Sequence, residues 1–94
     1  MLSKREFSNM FEIIADTNRR KIIDHLRKSP RSVGELVEFT QLSQPGVSKH
    51  LRKLHEAGLV KISKESQKCI YHLRAEPLVE IDNWLEPYRK AFTI

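Results

Sequence analysis

Cysteine is nearly missing from this chain of 94 residues: Cys69 is the only one. A single thiol excludes an intrachain disulfide framework and fits a reducing compartment, so a cytoplasmic location is expected. Glycine is scarce too. Three glycines leave no glycine-rich loop to cradle a phosphate and no Gly-x-Ser-x-Gly turn to present a nucleophile. A Cys/His pair would have only Cys69 and distant histidines to draw on, and the acidic residues fall at helix caps and in surface pairs. No enzyme is expected. Transition metals want clustered His or Cys ligands, whereas His25, His50, His55 and His72 are scattered and residues 75–94 contain Glu76, Glu80, Asp82 and Glu86 but no histidine. No metal site and no cofactor are expected. No apolar run approaches the ~20 residues of a membrane span. Met1-Leu2-Ser3-Lys4 leads into a charged amphipathic stretch and not into the apolar core of a signal peptide.

What is present is charge. Charged residues are 31% and hydrophobic ones 39%, which suits one small α-rich globular domain spanning residues 1–94. The net charge of +5 is unevenly spread: seven Lys/Arg against four Asp/Glu in residues 1–30, eight against four in 31–74, and two against four in 75–94, giving +3, +4 and −2. A basic surface attracts phosphate backbones, although a small lysine surplus also serves solubility.

Local patterns predict the elements. Ser3-x-x-Glu6 is a capping box, and Phe7, Met10, Phe11 and Ile14 follow as one helical stripe. Asp16 caps a second helix with Ile22, Ile23 and Leu26 inward, and Ser29-Pro30 stops it. Ser32-x-x-Glu35 opens a third helix running to about Phe39, and the turn Thr40-Gln41-Leu42 follows. Ser43 caps a fourth helix with Val47, Leu51 and Leu54 as its core face; Pro45 is tolerated in its first turn, and Ala57-Gly58 ends it. Residues 59–63 and 69–74 alternate like strands around a polar turn at 64–68, with Tyr71 and Leu73 facing the core. Pro77 opens a last helix with Leu78, Ile81, Leu85, Tyr88 and Phe92 in one stripe, widened by Trp84. The expected fold is mainly α with a two-stranded β wing, in the order α-α-α-α-β-β-α. Two helices joined by a turn too short for them to lie antiparallel, then a basic hairpin, make a winged helix-turn-helix.

In that layout the second helix of the pair reads a DNA major groove. Its outward face carries Gln44, Pro45, Ser48, Lys49 and Arg52, at spacings of one, three and four. Small residues at the start allow close approach to base edges. Gln44 can pair bidentately with adenine, Ser48 can bond several bases, and Lys49 can reach guanine or a phosphate. Gln44, Pro45, Ser48 and Lys49 are the candidate groove readers. Ser43, Arg52, Lys53, Lys64 and Lys68 are candidates for phosphate contact, which adds affinity without sequence information. An ordinary amphipathic helix also has a solvated basic face; here the helix comes second in a tight pair, holds Glu56 as its only acid and precedes a basic hairpin.

Two stretches also resemble a known family. Residues 15–26, Ala-Asp-Thr-Asn-Arg-Arg-Lys-Ile-Ile-Asp-His-Leu, are similar to the A-D-P-T-R-R-x-I-L-x-x-L opening of ArsR-family bacterial repressors, with Thr17-Asn18 in place of Pro-Thr. Residues 42–60, from Leu42-Ser43-Gln44 to Ala57-Gly58-Leu59-Val60, resemble that family's recognition helix, L-S-Q-x-x-V-S-x-H-L-x-x-L-x-x-A-G-L-V. The resemblance implies a homodimeric winged-helix repressor that binds imperfect inverted repeats in double-stranded DNA. It also implies that the terminal helices form the dimer interface, here through Phe7, Met10, Phe11, Ile14, Leu78, Ile81, Trp84, Leu85 and Tyr88. The family's usual cysteine pair has no counterpart at Val33–Glu38. Derepression would then fall to an unidentified ligand, a partner protein that sequesters the repressor, or dilution.

Two other readings compete. Cys69 beside Lys68 suits a redox sensor if the lysine lowers its pKa, or a metal-responsive repressor if histidines assemble across elements. A winged helix without a DNA role would serve as a protein-interaction module, which calls for an apolar or acidic patch on the reading helix. Trp84 and Tyr88, four residues apart, can line a small-molecule pocket, form core or cover a dimer partner.

Overall fold

A computed structural model describes residues 9–92. The Ser3-x-x-Glu6 box and Phe7 lie outside them. Helix α1 spans Met10–Ala15, opened by Asn9, whose Oδ1 accepts the Glu12 N–H at 3.0 Å. The backbone bends at Asp16, and α2 spans Thr17–Lys28. Asp16 Oδ1 accepts the N–H groups of Asn18 at 2.8 Å and Arg19 at 3.1 Å. The bond from Arg19, aided by that from Asn18 and by the nearby His50 and Arg19 charges, holds the Asp16 carboxyl below its ordinary range against the opposing effect of burial.

The Arg19-Arg20 pair closes the end of α1. Arg19 donates through Nε to the Ile13 carbonyl at 2.7 Å and through a terminal nitrogen to that of Glu12 at 3.2 Å. Arg20 donates to the carbonyls of Ile14 and Ala15. These four are the C-terminal carbonyls that a helix leaves without internal partners, and two cations there also complement the helix dipole. Arg19 also reaches across to the fourth helix, its third nitrogen 3.5 Å from His50 Nδ1. Arg19→Ala is therefore expected to cost about 1–2 kcal/mol, with Arg19→Lys recovering less than half, because an ammonium cannot span two carbonyls in a fixed fork. A lower urea midpoint at unchanged slope is the measurement.

A two-residue strand β1, Arg31–Ser32, leads into α3, Val33–Thr40. Both bonds of the Ser32/Glu35 capping box form. Glu35 is held below the usual carboxylate range chiefly by the Ser32 N–H, with Arg31 and Lys68 adding to the effect. The turn to the next helix places Gln41 at φ 63°, its N–H on the Val37 carbonyl, and Thr40 Oγ1 accepts the Leu42 N–H. Helix α4 then spans Gln44–Glu56 and ends at Gly58, whose φ of 80° suits a residue without a Cβ.

Strands β2 (Val60–Glu65) and β3 (Lys68–Leu73) pair antiparallel from Val60↔Leu73 to Glu65↔Lys68. The expected five-residue turn thus shrinks to Ser66-Gln67, with Ser66 at φ 57°. The sheet is also larger than the expected two strands, since β1 pairs with β3 to give the order β1-β3-β2. Two residues are too few to show a period of two, and their partners Tyr71 and Ile70 lie far along the chain.

The last helix is not continuous. A 3-10 turn at Glu76–Leu78 precedes α5, Val79–Leu85; a second 3-10 turn at Glu86–Tyr88 precedes α6, Arg89–Phe92. Pro87 is the cause. It has no N–H to give the Asn83 carbonyl, which accepts instead from Glu86 one residue earlier, tightening the coil.

The core joins helices α1 to α4 and the start of β2. Ile22, Leu36, Val47, Leu54 and Leu59 are wholly buried, with Leu51, Leu26, Val60, Met10, Ile13 and Ile23 around them. Val33, Val37, Tyr71, Leu73, Leu78 and Ile81 pack on its edge. The inward faces of α2, α3 and α4 are those that the stripes predict; in α1, however, Ile13 is buried in place of Phe11, and Tyr88 and Phe92 of the last stripe are exposed. The architecture is a winged helix-turn-helix.

Candidate nucleic-acid interface

Helix α4 divides cleanly into two faces. Val47, Leu51 and Leu54 are at most 1% exposed, while Gln44, Pro45, Ser48, Lys49, Arg52 and Lys53 are all exposed. Ser43 Oγ is the N-cap, accepting the Gly46 N–H at 3.1 Å. A Cβ on Gly46 would also stand 3.1 Å from that oxygen, so the small residue keeps the cap undisturbed. No acid lies in the first turn. The helix thus presents amide, hydroxyl and ammonium groups on a rigid, capped start.

Of the eight Lys/Arg in residues 31–74, two are otherwise engaged. The Arg31 guanidinium lies 4.7 Å from the centre of the Phe39 ring, which His25 stacks on at 4.9 Å, and Arg74 stands 3.9 Å from Glu76. The remaining six, Lys49, Arg52, Lys53, Lys61, Lys64 and Lys68, are exposed on α4 or the hairpin.

The strand register sorts the wing residues onto two faces. Ile62 and Tyr71 are paired, as are Lys64 and Cys69, so these four share a face. That face turns toward α4, because Ile62 and Tyr71 border a cleft with Ser48, Arg52 and His55. Lys68, paired with Glu65, lies on the other face, where its charge acts on Glu35. The two wing lysines expected to act together therefore point in opposite directions. Ser63 and His72 share Lys68's face and are joined by a 2.8 Å hydrogen bond. Burial above all, with Cys69 adding to it, raises the Tyr71 phenol above its usual range and keeps it protonated.

The other expected residues within the described span lie on α1 and the C-terminal helical segment. Met10 is buried in the chain's own core; Ile14, Leu78 and Ile81 pack on its edge and Leu85 is half-buried. Ile14, Leu78, Ile81 and Leu85 line an apolar groove of about 390 Å³ with Ile23, rimmed by Arg20, Asp24 and Asp82. Trp84 and Tyr88 do not line it. They stand outside, 55% and 52% exposed, with ring centres 5.1 Å apart, and Phe11 meets Trp84 edge-on at 5.7 Å. Glu80 accepts the Met10 N–H at 3.5 Å and holds α5 to the start of α1. Phe11, Trp84 and Tyr88 thus form one exposed aromatic ridge.

Cys69 is exposed on the wing. Among the described residues, no three His, Cys, Asp or Glu side chains converge as metal ligands. His25, His50, His55 and His72 have four different surroundings, set by Phe39, Arg19, Arg52 and Ser63 respectively. The cleft brings His55 and Tyr71 beside the expected residues Ser48 and Arg52, a placement that sequence reasoning left out. The first had a signal, since it lies seven residues beyond Ser48 and three beyond Arg52 on one helical stripe. The second had none, because its place beside α4 depends on the sheet register.

Comparison with known proteins bears on the family and the fold. The sequence model of the family described as "Bacterial regulatory protein, arsR family" matches residues 16–61. The chain is 32% identical over 78 residues to the transcriptional repressor SdpR of Bacillus subtilis, covering 83% of this chain and 87% of that protein. It superposes on the crystal structure of a possible transcriptional regulator for arsenical resistance with a TM-score of 0.77 and 27% identity, covering 87% of this chain and 85% of that one. The fold also matches a homodimeric winged helix-turn-helix DNA-binding domain from Mycobacterium bovis, with a TM-score of 0.67 and 22% identity over 84% of this chain and 73% of that one.

Proposed function

Because the chain belongs to the ArsR family of bacterial regulatory proteins, DNA-binding repressors with a winged helix-turn-helix, we propose that it represses transcription as a cytoplasmic homodimer on an inverted-repeat operator. Residues 1–94 act as a single unit. Two copies of α4 enter successive major grooves, read by Gln44, Pro45, Ser48 and Lys49. Ser43, Arg52 and Lys53 meet the phosphates. A hairpin that enters the minor groove offers its two faces to the two strands flanking it, so Lys64 and Lys68 contact different strands. Bound over a promoter, the dimer excludes polymerase. Release comes from an unidentified ligand, a partner protein or dilution of the repressor.

The observation that carries this reading is the two-sided α4: a buried apolar face at most 1% exposed, opposite a face with six exposed polar, basic or small residues and a capped, acid-free first turn. Such a helix is held rigidly by the core while its outer face stays available. An interaction module without a DNA role would show apolar or acidic groups there. The groups that recognise base edges and phosphates are what α4 offers.

Selection of bound oligonucleotides from a random pool is the decisive experiment, and recovery of a palindrome is expected. On the selected site, Gln44→Ala and Lys49→Ala should weaken specific binding by about 10- to 100-fold while changing binding to random duplex far less. Lys64→Ala should weaken both alike and reduce the salt slope by about 0.9 per lost contact. Equal effects of all three changes on selected and random DNA would refute the division between reading helix and wing.

A further inference from the structure

We propose that the cleft between α4 and the wing is a seat for one DNA phosphate, with His55 and Tyr71 as backbone contacts beside Arg52. This rests on the DNA-binding reading above and adds a site to it. The cleft has a volume of about 270 Å³ and is lined by Ser48, Leu51, Arg52, His55, Ile62 and Tyr71. Ser48, Arg52 and His55 follow one another at four and three residues along α4, so they form one wall. The cross-strand pair Ile62 and Tyr71 forms the other, and the nearly buried Leu51 is the floor.

The lining suits an anion. Four of its six residues carry hydrogen-bond donors, none is acidic, and two are apolar. Among the described residues, the ion pairs are made by Arg74 and Arg89, and Arg52 makes none. Tyr71 keeps its proton and donates it. A phosphodiester has two free oxygens and one charge, matching an Arg fork on one side and a phenol on the other. An apolar floor strengthens these bonds by excluding water. The cleft opens between the two elements that are to touch DNA, with Lys64 next along its wing face. A phosphate between groove and wing is the anion within reach.

His55 adds an imidazole N–H donor to the wall that Arg52 forms. The ionisable groups around it are Arg52 and Glu56 on its own helix and Tyr71 on β3, with Lys64 on β2 and Cys69 on β3 further along the face.

The test is fluorescence anisotropy of the whole protein on a random-sequence duplex, titrated with salt. Tyr71→Phe, which keeps the ring and the packing, and His55→Ala, which removes the imidazole donor, should each weaken binding about five- to tenfold. Wild-type affinity in either variant would overturn the seat and leave the reading helix intact. If the wild type binds no duplex in a salt-dependent way, the DNA-binding reading falls and the seat with it. Thermal melts of both variants separate these outcomes from unfolding.

Discussion

Trp84→Asp is expected to turn the proposed dimer into folded monomers and to abolish operator binding at concentrations where the wild type is saturated. Trp84 is 55% exposed and meets its own chain mainly through Phe11 and Tyr88, so the monomer loses little when it is replaced. In a twofold dimer the same position occurs on both sides of the interface. Removing a large aromatic anchor from an interface costs about 2 kcal/mol or more, and it is removed twice. The aspartate that replaces it must also leave water near its symmetry mate. A loss of about 4 kcal/mol raises the dimer dissociation constant by about a thousandfold. Each monomer keeps one reading helix and half the phosphate contacts, so binding to an inverted repeat falls further than binding to random duplex. Sedimentation velocity and anisotropy on one preparation read both consequences. A Trp84→Asp variant that stays dimeric would remove the aromatic ridge from the interface.

Leu54→Ala is expected to unfold much of the protein at moderate temperature. Leu54 is wholly buried on the inner side of α4, at the centre of a core that includes Ile22, Leu36, Val47 and Leu59. Such a truncation costs about 2–5 kcal/mol through lost transfer energy and the cavity left behind. Small domains hold only ~5–15 kcal/mol in total. Its neighbour Lys53, exposed on the same turn, provides the control, and Lys53→Ala should change stability by less than about 0.5 kcal/mol. Chemical denaturation of the two variants measures the contrast, which tests the division of α4 into faces independently of any DNA. Comparable losses in both would mean that the helix is seated differently.

Parts of this molecule can be read directly from its chain. The Ser32/Glu35 capping box, the Ser43 cap, the Gly58 terminus and the apolar stripe Val47, Leu51, Leu54 are local features, each decided by residues three or four positions apart. The reading helix and its outward residues follow from them. Other features are not local. Arg19 and Arg20 count as free cations in a charge sum, yet they close α1 because the bend at Asp16 brings its carbonyls within reach. Lys64 and Lys68 look equivalent until the hairpin turn shrinks to two residues and the register sends them to opposite faces. Met10 belongs to the same stripe as Phe11, but the packing of α1 buries one and leaves the other outside. Pro87 was visible, and its break in the last helix follows from a missing N–H.

The chain by itself determined a winged helix with a basic reading helix, because caps, periodicity and charge act over one or two turns and survive in any context. Only the tertiary structure decided which cations remain free, which wing face looks toward α4 and that Phe11 joins Trp84 and Tyr88 in one ridge. Those outcomes depend on pairs of groups far apart in sequence, and such pairs meet only when burial of the shared core fixes the elements against one another.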